Sequence, residues 1–557
     1  MLCGKKCVYF THFERKRFKI FFTNYKKSPY KPFFWKIIYF LCNNIEPKTK
    51  TERKCMTGNL RNLTKYTSIA LLVSSSFAMA DCGDETEGNL FGYERCANED
   101  SKFFTLTGNV GTFTKAGFNG GKVDTAKNFY PTESFTSVFG EVNGKFNINE
   151  VYENDYFSKF EVGIGAAAAG LAWDTTKYDG VANSGSGLSG GSGLNNQYIG
   201  SWGGYLGNET TSYTNNRQIF VHNAYVDLQA KYFNLKLGRY ESGMDYFSGY
   251  TQGFNFDWHT EYGDTESKPA NEVKVWWFSS FGRAFAYSQW FLDYYAVKTT
   301  DGKASYGIHS VGVDVTHGGI SDTDNGFAYG DTLLVRPFLY FYPGLYEAPG
   351  LKAVYEYQFG NGLGFKVTAQ GFGLHVHKAF TTTDTSKGRY NEQVDEWSGN
   401  LNLIAQGNIY NYNVRIGYYE NFGSANSHFG TYGNPMGLDF WTASVYDIGA
   451  SISDTINRNA RTGYLSGGGH YDLEYGTLSW DLLGRITRSP RSDEESIALS
   501  VNHAFKNGLA VGLKLEWFRD TTKAGYNPGA QLSGTNKLAK AQTDDRSHAF
   551  FTLDYRF

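Results

Sequence analysis

From about residue 102 onward the chain repeats one unit, a run of alternating apolar and polar residues followed by a turn or loop. In Val511–Trp517 the apolar set is Val511, Leu513, Leu515 and Trp517, while Lys514 and Glu516 fall between. In Asn411–Tyr419 the apolar set Tyr412, Val414, Ile416 and Tyr418 alternates with Asn411, Asn413, Arg415 and Gly417. The last residues do the same, with Ala549, Phe551, Leu553, Tyr555 and Phe557 on one face and Thr552, Asp554 and Arg556 on the other. Period two makes each run a β-strand with one apolar and one polar face. A soluble sandwich packs apolar inner faces together. Strands whose second face is polar throughout suit a closed barrel with lipid outside and a wet lumen.

The pattern predicts about 18 strands, at 102–117, 133–148, 157–174, 217–230, 232–240, 271–279, 305–316, 331–342, 350–358, 364–378, 394–407, 410–422, 441–448, 467–475, 477–487, 494–504, 509–519 and 546–557. The runs at 441–448 and 467–475 are the weakest, and without them the count is 16. Some connections are short (Lys231-Tyr232, Gly360-Asn361-Gly362, Gly476) and others long (175–216, 241–270, 379–394, 423–440, 519–545). The expected class is therefore all-β: a transmembrane antiparallel β-barrel over 102–557, with short periplasmic turns and long extracellular loops. A Gly/Ser-rich stretch at 185–193 lacks the Gly-Lys-Ser/Thr ending of a phosphate loop and reads as a flexible connection.

Composition agrees. Aromatic residues make up 17% of the chain, with 41 Tyr and 44 Phe, yet mean hydropathy is only −0.44. Aromatic girdles at a membrane boundary account for that combination. No segment supplies the ~18 uncharged apolar residues of a spanning helix. The amino-terminal part differs. Arg61 and Lys65 precede the apolar Ile69–Val73, and Ala78-Met79-Ala80 offers a cleavage site before Asp81, so 56–80 reads as a secretory signal cut between Ala80 and Asp81. Residues 1–55 then lie upstream, either an over-extended reading frame ahead of Met56 or a long leader.

Residues 1–80 hold 16 Lys or Arg against 3 Asp or Glu, which leaves 37 basic and 52 acidic residues beyond them. The net charge of −2 thus conceals a mature part near −15, with no basic excess to neutralise the phosphates of nucleic acid. Four of the six cysteines fall in 1–55, leaving Cys82 and Cys96 in the periplasmic segment 81–101. A disulfide between them is expected in an oxidising compartment, worth about 3 kcal/mol for a loop of this length.

Several central words are distinctive: Asn223-Ala224-Tyr225-Val226, Leu237-Gly238-Arg239-Tyr240-Glu241-Ser242, Ser248-Gly249-Tyr250-Thr251-Gln252-Gly253-Phe254 and Trp276-Trp277-Phe278-Ser279-Ser280-Phe281-Gly282-Arg283. With them the chain resembles the Hof outer-membrane protein family of Helicobacter and its relatives, which in turn resembles the OprD-type porins. The resemblance implies a monomer rather than a trimer, forming an 18-stranded channel for small solutes. The ending through Tyr555 and Phe557 is similar to the terminal signal read by the barrel-assembly machinery. In OprD-like channels a loop after the fifth strand narrows the pore, and the matching segment here is 241–262, carrying Glu241, Asp245, Asp257 and Glu261.

Basic residues within strands are expected to face those carboxylates. Arg415, Arg485, Lys366 and Lys514 have inward parity, and Arg283 and Arg336 sit where Pro337 and clustered aromatics blur the register. Opposed rows of charge would filter ions and orient dipolar solutes. No Gly-x-Ser-x-Gly elbow accompanies the histidines, and His375 and His377 share a strand face without an evident third ligand, so neither catalysis nor a metal or cofactor is expected. The sequence reading is an outer-membrane porin, a passive channel for small polar or charged solutes. A surface adhesin or structural barrel without an open pore is the alternative.

Overall fold

The computed structural model describes residues 86–88, 94–96, 103–121, 124, 126–152, 156–175, 199–204, 217–263, 271–295, 306–322, 327–378, 394–426, 453–526, 528 and 537–557. Eighteen strands form the wall. They are β1 Phe104–Gly117, β2 Phe135–Asn147, β3 Lys159–Asp174, β4 Ile219–Gln229, β5 Phe233–Met244, β6 Phe247–Tyr262, β7 Asn271–Ala286, β8 Ile308–Asp322, β9 Ala328–Tyr342, β10 Tyr346–Phe359, β11 Leu363–Val376, β12 Trp397–Ile409, β13 Tyr412–Phe422, β14 Arg461–Leu473, β15 Gly476–Arg488, β16 Ser492–Phe505, β17 Leu509–Thr522 and β18 His548–Arg556.

Each strand pairs antiparallel with the next, and β18 returns to β1 to close the sheet. At that seam the Phe557 amide donates to the Gly108 carbonyl at 3.1 Å, and the Gly108 amide donates back at 2.9 Å. Closure satisfies the edge groups that an open sheet would leave unpaired.

Alternation sets the two faces. Val414, Ile416 and Tyr418 point outward and are exposed, whereas Tyr419, two positions beyond Gly417, is fully buried inside. Leu513, Leu515 and Trp517 likewise face out, while Lys514 and Glu516 face in. Both ends of the barrel segment lie at one rim, together with the tight connections 230–232, 360–362, 410–411, 474–475 and 506–508. The long connections, 175–218, 287–307, 377–396, 423–460 and 523–547, leave the opposite rim.

Two strand assignments differ from the sequence reading, and they compensate in the count. Residues 241–270, expected as a loop, are mostly strand: β5 runs on to Met244 and β6 fills Phe247–Tyr262. The predicted strand 441–448 lies outside the described residues, and the wall passes directly from β13 to β14. The strand expected at 271–279 continues to Ala286. The signal segment 56–80 with Ala80, Asp81 at its end, Cys82 and the 185–193 stretch also lie outside the described residues. Thr86–Gly88 pairs with Glu94–Cys96 in a small two-stranded sheet.

Candidate functional site

The upper ends of β5, β6 and β7 make a sheet of their own. β5 pairs with β4 only from Asn234 to Arg239, and above that point its described partner is β6. β7 pairs with β8 as far as Ser280; after a bulge, Gly282–Ala286 pairs with Phe291–Tyr295 instead. That segment pairs in parallel with Ile199–Gly204. A bulge redirects a strand locally, and here it carries the ladder away from β8.

This flap touches the inner wall at two places. At one end Phe291 stacks on Phe220 of β4 with centroids 4.3 Å apart and meets Phe139 of β2 at 6.2 Å. The Ser137 hydroxyl of β2 donates to the Ser288 carbonyl there. At the other end Tyr246, at the turn between β5 and β6, is fully buried. Its ring lies edge-on to Tyr340 and Phe372 at 6.0 and 5.2 Å, and 6.2 Å from Phe338. The flap thus bridges the inner faces of β2–β4 and β9–β11.

Beside Tyr246, the Asp245 carboxylate meets the wall's charge. It accepts from Arg336 Nη1 at 3.0 Å and from Lys352 Nζ at 2.9 Å, and the Tyr340 hydroxyl donates to its carbonyl. The guanidinium of Arg336 also forks onto Asp314, with Nε–Oδ1 and Nη2–Oδ2 both 2.7 Å. Paired donors of this kind fix orientation as well as charge. Trp276 Nε1 donates to Asp314 at 2.8 Å, and Lys274 lies 3.7 Å from it. Gly312, directly across from Trp276, permits this: a Cβ there would stand 2.3 Å from the indole. Two carboxylates and three cations therefore form one connected group at the flap's tip.

The other expected site residues are distributed differently. Glu241 accepts from the Tyr287 hydroxyl within the flap at 2.7 Å. Asp257 accepts from Asn234 at 3.0 Å, with His259 at 3.2 Å, and Glu261 is paired across the ladder with Glu272 near the end of β6. These three are wall or flap residues rather than members of one inward loop. Arg283 is buried within the flap, where its Nε donates to the Ser248 carbonyl at 2.9 Å and its charge lies against Phe247 and Phe285.

The remaining cations each have their own partners. Lys366 is 3.5 Å from Glu356, and Arg415 donates to Gln406 at 3.3 Å. Lys514 bonds Glu516 at 2.9 Å. Arg485 is buried on Glu494 at 2.6 Å, and Arg491 holds Asp454 at 2.7 Å, which pins the segment Ser453–Asn457 against β15 and β16. The expected single row of cations is thus several local pairs, with Arg336 alone meeting a predicted carboxylate. Lys352, Asp314 and Tyr246 were missing from the sequence reading. Lys352 shares parity with Glu356 and Gln358 in a run where Leu351 faces out, so its inward position is visible in the alternation.

Below the flap lies a cavity of ≈ 740 Å³ that reaches the rim of the chain ends. Its lining includes Asn109, Glu141, Glu241, Tyr287, Asp554 and Arg556. Such a surface offers hydrogen bonds and charges of both signs to a solvated solute.

No curated protein matches the chain. Solved structures similar to it include OccAB4 of Acinetobacter baumannii, with 9% identity and TM-score 0.48 over 83% of this chain and 99% of that one. OccD3 (OpdP) of Pseudomonas aeruginosa gives 10% and 0.47 over 82% and 91%. OprD of the same organism gives 10% and 0.44 over 86% and 99%. The family model described as "Putative outer membrane protein" matches residues 98–557, the whole of the barrel wall, and the chain belongs to that Helicobacter outer-membrane protein family.

Proposed function

We propose that the protein is a passive outer-membrane channel for small polar or charged solutes, of the size of amino acids or simple ions. One observation carries the reading: a flap built from three wall strands crosses the barrel interior and meets the far wall through Asp245, Arg336 and Lys352. A structural barrel has no need of charges of both signs at the tip of an inward flap. A channel uses them to set width and field at its narrowest part. The exposed belt that includes Ile416, Leu465, Leu513 and Leu553 supports a membrane-spanning placement with lipid as the outer partner.

The test is single-channel conductance of the folded protein in planar bilayers, beside Asp245→Ala and Arg336→Ala. Discrete steps are expected, with cation-to-anion selectivity shifting in opposite directions in the two variants. Silence from a barrel shown to be folded would favour a surface adhesin or structural barrel without an open pore.

A further inference from the structure

The outward face carries a second cluster that the channel reading does not use. β10 and β11 are in register so that Glu347 stands directly opposite His375. His377 follows two positions later on the same side, just past the end of β11. Odd positions of β11, such as Phe365 and Val367, are exposed on the outside, so this group faces away from the lumen at the long-loop rim. His375 Nδ1 is 3.2 Å from one oxygen of Glu347, and His377 Nε2 is 2.8 Å from the other. The second ring nitrogen of His375 is 3.9 Å from Glu396, immediately before β12. Trp397 stacks on His375 with centroids 4.3 Å apart and holds the ring's plane.

We infer that Glu347, His375 and His377 form a binding site for a divalent transition-metal ion of the Zn²⁺ type, with its fourth position left to solvent. One donor atom from each of the three lies within 4.8 Å of the others. Metal–ligand bonds of about 2.1 Å in a tetrahedron bring donors to about 3.4 Å, so side-chain rotations close the site without moving the strands. Two imidazoles and a carboxylate are a borderline donor set that prefers Zn²⁺, Ni²⁺ or Cu²⁺ to Mg²⁺ and Ca²⁺. The three side chains are between 30% and 42% exposed, so an ion reaches them from solvent. The contrast is the carboxylate group Asp454, Glu494 and Asp520, which is buried and already compensated by Arg485 and Arg491. A bound ion would tie β10 to the end of β11 at the rim.

Titration calorimetry with Zn²⁺ on the folded full chain tests this, beside Glu347→Gln and a His375→Ala/His377→Ala double variant. The chain should lose one Zn²⁺ equivalent in the double variant. Affinity should fall by more than about tenfold in Glu347→Gln, which keeps volume and an acceptor oxygen but removes the charge, since a direct ligand matters at least as much as the outer-shell partners whose loss costs that much. Both should retain the heat-modifiable migration of a folded barrel, and Glu347→Gln decides the matter if the double variant does not fold. Unchanged Zn²⁺ stoichiometry and affinity, or displacement of Zn²⁺ by excess Ca²⁺, would overturn the assignment.

Discussion

Asp314 is the residue on which the flap's anchorage turns. It is almost fully buried, yet it receives the fork of Arg336, the indole of Trp276 and the nearby charge of Lys274. Asp245, by contrast, is partly exposed and shares its load between Arg336 and Lys352. Asp314→Asn therefore leaves the half-buried Arg336 with Asp245 as its carboxylate partner, and is expected to cost about 2 kcal/mol, because a charge-assisted fork onto a buried carboxylate is lost. Lys352→Ala should cost under about 1 kcal/mol, the scale of a partly solvated pair. Urea unfolding in lipid vesicles measures both. Gly312→Val belongs with Asp314→Asn, since its side chain would lift Trp276 off the strand. Parity could locate Lys352 and Arg336 on the inner face, but not their meeting with Asp245. That contact joins residues 107 and 91 positions apart, and depends on how far a hairpin leans.

At the level of elements, the turn between β5 and β6 deserves a direct perturbation. Tyr246 holds φ at +64°, a left-handed conformation that disfavours a bulky residue, and its ring packing offsets that strain. Removing the ring while keeping a side chain leaves the strain without the packing. Tyr246→Ala should loosen the flap, raising mean single-channel current and its noise relative to the parent, and should lower urea stability by about 3 kcal/mol through loss of a fully buried ring. The hairpin was also where sequence reading fell short. Phe254, Phe256 and Trp258 alternate with Asn255, Asp257 and His259 as plainly as any other run. Gly249, Gly253 and the dense aromatics before them read as loop, because a flap strand has a partner on both faces and loses its polar side. The strands with an apolar outer face and a polar inner face keep their alternation and are placed within a few residues, as β13 and β17 show. Nothing in period two reveals that β7 changes partner at Ser280, since both ladders demand the same backbone.

Among the described residues, the wall joins each of its strands to its neighbour in the chain and closes at a seam between β18 and β1. Phe557 belongs to that seam by its backbone, and its ring covers Gly108, where a Cβ would stand 2.3 Å away. Deleting Phe557 should therefore reduce the heat-modifiable fraction recovered from outer membranes, with a smaller loss for Phe557→Tyr, which keeps a ring over the glycine. Quantitative blotting of the folded and unfolded bands reads both. The seam also imposes an order on maturation. Its two partners are separated by nearly the full length of the barrel segment, so the sheet remains an open ribbon until β18 has been made and delivered. During that interval β1 and β18 expose two unpaired edges, each a template for another chain. Local hairpins can assemble early at little entropic cost, whereas the final step must find its partner across the whole ring. The vulnerable period in this protein's life is thus the wait before closure, and anything that occupies either edge during it competes with the barrel itself.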